Sequence, residues 1–189
     1  MMTAIEATLD RMEIRLAGEG GQGMILAGII LAEAAAIYDG KNAVQSQSYG
    51  PEARGGASKS EVIIAEGEID FPEVIAADVL VALSQEACDK YAANLKPGGL
   101  LIVDTDSVQR VPANATLRLP ITRLAKETTG RAITANTVAL GVVVEITGVV
   151  SKAAIAKAVA ARAPKGTQAI NQAALEAGFA AAQDSVNLL

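Results

Sequence analysis

"EIRLAGEGGQGMILAGIILAE", Glu13–Glu33, is the stretch on which the fold turns. "EIRLAG" alternates polar and apolar residues, the period of a strand, and predicts a first strand over Glu13–Ala17. "GEGGQG", Gly18–Gly23, follows at once and fits G-x-G-x-x-G. "MILAGIILAEAAAIYDG" then reads as a helix stopped at Gly40. Apolar residues fall on nearly every side of it, so it is expected to be well covered.

Strand, glycine-rich turn, helix is the setting of a dinucleotide-binding loop, and each glycine has a role in that reading. Gly18 permits the tight turn. Gly20 lets the backbone approach a pyrophosphate and is expected at the sharp bend, where a positive φ would demand glycine. Gly23 lets the helix pack close to the strand. The helix N-terminus adds N–H groups and partial positive charge. Gly18, Gly20, Gly21, Gln22 and Gly23 are therefore the candidate cofactor-binding residues. Two features oppose a dinucleotide. The second strand, "AVQSQSYG", lacks the acidic residue that would hold a ribose, and Glu19 puts negative charge where a phosphate would lie. The same glycines can serve backbone geometry alone, and both readings stand at this point.

Working outward, "KNAVQSQSYG" predicts a second strand and "SKSEVIIAEGEID" a third through Val62–Ala65. The short "PEARGG" between them favours an antiparallel pair, because a parallel crossover needs about a dozen residues. "DVLVALS" and "LLIVD" are continuous apolar runs of strands buried on both faces, with the helix "QEACDKYAANL" between them. "ATLRLP" is a short strand and "ITRLAKETTG" a helix. "NTVALGVVVEITGVV" is expected as a helix capped by Asn136, although its β-branched residues oppose one. "SKAAIAKAVAARA" and "TQAINQAALEAGFAAAQDSVNLL" end the chain as helices. Residues 1–12 read as a lead-in, with Met12 a second possible start, and 13–189 as a single domain. The fold class is α/β with a mixed, mostly parallel sheet.

Composition removes whole classes of function. The 189 residues carry a net charge of -5, 3% aromatics, one cysteine and no histidine. Tyr38, Tyr49, Tyr91, Phe71 and Phe179 are too few for a base-stacking platform, and an acidic chain has no phosphate-binding footprint, so no nucleic-acid partner is expected. Without histidine there is no Ser-His or Cys-His pair and no imidazole metal site. Cys88 alone cannot hold an iron–sulfur cluster, and it reads as a small buried apolar residue in a helix. No signal-like or membrane-spanning run is visible, and a cytoplasmic protein is expected.

"SQSYGPEARGGASKSEV" is the more distinctive segment. It sets Tyr49, Glu52 and Arg54 in a turn closed by Gly55 and Gly56. An arginine beside two glycines is little crowded and can present its planar fork to a carboxylate, a phosphate or a partner chain. Tyr49, Arg54, Gly55 and Gly56 form the candidate interface or ligand loop, against the plainer reading of a solvated surface arginine.

"GEGGQG", "SYGPEARGGASKSEV", "DVLVALSQEACDKY" and "NTVALGVV", in that order, resemble the gamma subunit of 2-oxoacid:ferredoxin oxidoreductases, most of all the 2-oxoglutarate branch. The resemblance runs from about Met12 to the C-terminal helices. It implies a three-layer α/β/α, Rossmann-like fold in a cytoplasmic hetero-oligomer that decarboxylates a 2-oxoacid oxidatively with coenzyme A. An acyl-CoA is formed and electrons pass to ferredoxin or a related acceptor. It implies thiamine diphosphate with Mg between alpha and beta subunits, iron–sulfur clusters in beta or a ferredoxin-like delta subunit, and no cofactor held by the gamma chain alone. The rival reading is a stand-alone nucleotide-binding protein; a purely structural subunit overlaps the first.

Overall fold

The computed structural model of the protein describes residues 10–48, 57–112 and 116–187. Its strands are β1 Arg11–Glu19, β2 Asn42–Ser48, β3 Ala57–Ala65, β4 Ala77–Ala82, β5 Leu95–Asp104 and β6 Thr116–Leu119. Its helices are α1 Met24–Glu33, prolonged by a π-helical turn Ala34–Tyr38, then α2 Gln85–Tyr91, α3 Ile121–Thr129, α4 Ala135–Thr147, α5 Lys152–Arg162 and α6 Gln168–Asn187.

The strands form one sheet in the order β2-β3-β1-β4-β5-β6. β3 runs antiparallel to both its neighbours, while β1, β4, β5 and β6 are parallel. All strands but β3 thus point one way, as a mixed, mostly parallel sheet requires. The antiparallel β2–β3 pair is as expected from the short link. The insertion of β3 between β2 and β1 was not legible in the sequence.

The two faces are covered unequally. Ile14, Leu16, Val62, Ile64, Val79, Val81 and Ile102 pack under α1, α3, α4, α5 and α6 in one large core. On the other face the short α2 covers a small cluster of Ala17, Leu80, Ala82, Leu101 and Val103. The remaining surface is closed by the segment after β3 and by ions. Arg15, 3% exposed, donates Nε–H to Glu61 Oε1 at 2.7 Å and a second N–H to the Val74 carbonyl at 3.0 Å. Lys59 pairs with the other Glu61 oxygen at 2.9 Å, and Lys96 bridges Glu13 and Asp78. Buried charges are tolerable only when paired and hydrogen-bonded in this way.

Several local expectations need correction. β1 begins at Arg11, so the end of the expected lead-in is strand, and Met12 is core at 1% exposure. α4 stops at Thr147, where Gly148 takes φ 59°, and does not run through Val150. Thr134 is its N-cap residue, not Asn136, which lies inside the first turn. α4 overrides the β-branched preference of "VVV" because Ala135–Val144 are buried throughout. α1 is less covered than expected: Leu26 is 40% and Ile37 66% exposed. Among the described residues, no helix is long and apolar enough to cross a membrane.

Candidate functional site

β1 ends in the glycine loop, and β4 ends beside it at Leu83 and Ser84. From here the chain turns to α1 on one face and α2 on the other. This is the switch point of an α/β sheet, where ligands usually bind.

The loop is closed on itself. Gln22 Oε1 accepts the Glu19 N–H at 2.7 Å, and Gln22 Nε2 donates to the Leu83 carbonyl at 3.1 Å. Its carboxamide thus bridges the ends of β1 and β4. It lies where a Cβ on Gly18 would project, so Gly18 is small to admit Gln22 and not to make a turn; it is still paired, with Ser58. Gly20 has an ordinary φ and open space around it. The positive φ values fall on Gly21, at 93°, and Gly23, at 76°. A Cβ on Gly23 would meet Asn136 Nδ2 at 2.5 Å. The close approach of helix to sheet belongs instead to Gly28, whose Cβ would strike the Ser60 side chain.

Asn136 braces the glycine loop and does not cap α4. From the first turn of α4 its Nδ2 donates to the Gly23 carbonyl at 3.3 Å, and its Oδ1 accepts the Thr137 N–H at 2.8 Å. Thr137 Oγ1 reaches Asn171 Oδ1 on α6 at 3.3 Å. The available signal was a polar pair, "NT", opening an otherwise apolar helix.

A second overlooked residue is Asp104 at the end of β5, fully buried. It accepts from Thr122 Oγ1 at 2.6 Å, Ser107 Oγ at 3.1 Å and the Thr122 N–H at 3.3 Å. Its acceptors are shared between the turn after β5 and the first turn of α3, which has no capping side chain of its own.

The N-terminus of α2 is also occupied. Ser84 Oγ accepts the Ala87 N–H at 3.2 Å, and Glu86 brings negative charge to the first turn while accepting the Ala57 N–H at 3.2 Å. The first turn of α1, by contrast, has neither a capping side chain nor an acidic residue. The strand that would carry a ribose-binding carboxylate beside β1 is displaced by β3. Cys88, in α2, is fully buried, and its Sγ lies 3.8 Å from the Arg110 carbonyl. Burial first, then the charge of Asp89, pushes its thiol above the ordinary cysteine range, so it is not an activated nucleophile.

Tyr49, Glu52, Arg54, Gly55 and Gly56 lie outside the described residues. Their described flanks do not. Ser48 pairs with Lys59, Ser58 with Gly18 and Ala57 with Glu19. Both flanks therefore stand at the end of the sheet that carries Gly18–Gly23, and Ser58 Oγ donates to the Gly18 carbonyl at 3.3 Å.

The sheet order and the glycine loop define a Rossmann-like α/β domain. The family model for pyruvate ferredoxin/flavodoxin oxidoreductase matches residues 13–181. The 2-oxoglutarate synthase subunit KorC of Methanocaldococcus jannaschii is 52% identical over 178 residues, covering 92% of this chain and 95% of that one. A crystal structure of the gamma subunit of a keto/oxoacid ferredoxin oxidoreductase from Geobacter sulfurreducens matches with TM-score 0.86 and 55% identity, over 93% of this chain and 98% of that one. The 2-oxoglutarate:ferredoxin oxidoreductase of Magnetococcus marinus, solved with 2-oxoglutarate, coenzyme A and succinyl-CoA bound, shares the fold at TM-score 0.82 and 24% identity, with 93% of this chain on 31% of that one. The chain belongs to the pyruvate ferredoxin/flavodoxin oxidoreductase family, as a gamma-type subunit.

Proposed function

We propose that this chain is the gamma subunit of a cytoplasmic 2-oxoglutarate:ferredoxin oxidoreductase. The complex joins 2-oxoglutarate to coenzyme A with loss of carbon dioxide, and the electron pair released goes to ferredoxin or a related acceptor. One observation carries the reading: the identity to a 2-oxoglutarate synthase subunit runs almost end to end in both chains. That is likeness of a whole subunit, not of a shared module.

Thiamine diphosphate with Mg, and the iron–sulfur clusters, belong to the alpha, beta and delta-type subunits in this reading. One buried cysteine and no histidine cannot furnish a cluster's four ligands. This chain's part is positional. The glycine loop is braced by Gln22 and Asn136 at one end of the sheet, and the flanks of Tyr49–Gly56 lie at the same end. In this reading the role of Arg54 is to pair with an anionic group of coenzyme A or of a partner subunit.

The test is reconstitution. The chain alone should not reduce a viologen dye with 2-oxoglutarate and coenzyme A, whereas the complex should. Turnover by the isolated chain, or preference of the complex for another 2-oxoacid, would overturn the assignment. In the coenzyme A arm of the same assay, Arg54→Ala should raise the coenzyme A concentration needed for half-maximal rate; an unchanged titration and intact assembly would make Arg54 an ordinary surface residue.

A further inference from the structure

β2, Asn42–Ser48, is an edge strand whose neighbour in the sheet is β3. The hydrogen-bond pattern fixes which of its residues face outward. Glu66 N–H donates to the Asp10 carbonyl at 3.2 Å, one step beyond the β1–β3 ladder, so the even-numbered residues of β3 point their backbone groups at β1. The odd-numbered ones, from Ala57 to Ala65, point theirs at β2. Opposite these stand Asn42, Val44, Ser46 and Ser48. Ala43, Gln45 and Gln47 therefore turn their N–H and C=O groups away from the sheet, and none of the three makes a backbone hydrogen bond to a described residue. Natural sheets protect a free edge with lysine, proline, a bulge or a very short strand. "NAVQSQS" contains no charged residue and no proline, and it pairs with β3 without a break over 7 residues. The Gln45 carboxamide does not cover the edge, because it is tied back to Ser60 Oγ at 2.8 Å and to the Ser46 carbonyl at 3.0 Å. The opposite edge is different: β6 has 4 residues and carries Arg118.

We propose that β2 pairs with β2 of a second copy of this chain, antiparallel about a two-fold axis, so that the two sheets join into one. The strand is self-complementary for that pairing. A two-fold through Gln45 sets Gln45 opposite Gln45 of the second copy, and Ala43 opposite its Gln47. Every outward-facing position then meets an outward-facing position, as the hydrogen-bonded pairs of an antiparallel ladder must. A shift of one residue would set outward groups against inward ones. Charge favours the same arrangement. Glu68 and Asp70 stand beside Asn42–Val44, at the start of β2. The antiparallel seam sets them against the neutral Gln47–Ser48 end of the second copy, so the carboxylates of the two copies stay at opposite ends. A bare backbone edge accepts any extended strand, but this one matches itself in hydrogen-bond phase, in register and in charge.

Sedimentation velocity of the full chain at rising concentration should show a monomer–dimer equilibrium. Gln45→Glu and Gln45→Lys each set like charges opposite one another at the axis and should weaken the dimer roughly fivefold. An equimolar mixture of the two should recover the wild-type association, because unlike charges then face each other. Gln47→Pro removes an outward N–H without touching the β3 ladder and should also weaken the dimer. In residue-level amide exchange, Ala43, Gln45 and Gln47 should exchange slowly in the dimer and fast in the variants. Val44 and Ser46, bonded to β3, should stay slow in both, which separates lost pairing from lost folding. A chain that stays monomeric at every concentration overturns the proposal. So does an unchanged dimer in all three variants, or a mixture no tighter than its two components. Protection of the outward amides only when other 2-oxoacid oxidoreductase subunits are added would assign the edge to a different chain, and would overturn it too.

Discussion

Within Gly18–Gly23 the glycines are required for different reasons. Gly23 combines φ 76° with the Asn136 side chain 2.5 Å from its missing Cβ. A left-handed backbone costs a non-glycine residue about 1–2 kcal/mol, and moving Asn136 would also break its bond to the Gly23 carbonyl. Gly20 has neither constraint. Gly23→Ala should therefore lower stability by more than about 1 kcal/mol in chemical denaturation, while Gly20→Ala should stay within about 0.5 kcal/mol of wild type. The reverse order would mean that the loop's bend is set at Gly20. Gln22 has no turn-forming role that a pattern search would notice. Its importance comes from Leu83, 61 positions away, which receives its Nε2–H.

α4 and α6 approach closely enough for backbone contact. A Cβ on Gly178 would lie 2.9 Å from Gly141 Cα and collide with the Val138 carbonyl. A Cβ on Gly141 would collide in turn with Leu175 and lie 3.0 Å from Phe179 N. Two glycines at a crossing let the helices pack by main chain. Intrinsic propensity makes alanine better than glycine by about 1 kcal/mol inside a helix. Packing opposes it, since overfilling a tight contact costs roughly 1–3 kcal/mol. Gly178→Ala should thus destabilise the protein in urea titration. A gain in stability would show that α4 and α6 have room between them. Other element ends are held at a distance in the sequence. Asp104 serves α3, and Asp39 accepts both the Ser151 N–H at 2.6 Å and its hydroxyl at 2.7 Å, fixing the start of α5.

The molecule as a whole is asymmetric, with a thick helical layer on one side of the sheet and a thin, ion-braced layer on the other. Within the thick layer, Glu33 of α1 accepts the Arg162 Nε–H at 2.8 Å. The hydrogen bond from Arg162 holds the Glu33 carboxyl below the ordinary glutamate range. A depressed carboxylate stabilises the folded state fully above its unfolded pKa and loses that contribution as pH falls through the folded pKa. Glu33→Gln should therefore be less stable than wild type at neutral pH, by under about 1 kcal/mol for so exposed a pair. The difference should vanish in acid below the glutamate range. Thermal midpoints measured across pH check this, and a gap that persists in acid would mean that the loss is one of packing, not of charge.

The sequence by itself determined the order of strands and helices, the glycine turn between the first strand and helix, the antiparallel second pair and the family resemblance. These follow from local quantities: hydrophobic period, turn chemistry, and motif order along the chain. It also ruled out histidine chemistry and a resident cluster by count alone. Only the tertiary structure decided that β3 lies between β2 and β1, that Gln22 fills the space above Gly18, and that Asn136 braces the loop instead of capping α4. It also decided that Leu26 and Ile37 stand exposed. Most of these depend on contacts between residues dozens of positions apart, and Gln22 is held over Gly18 by its bond to Leu83. A residue's period or turn preference reports its near neighbours along the chain, and which distant group it meets is fixed only when the sheet order and helix packing bring the two together.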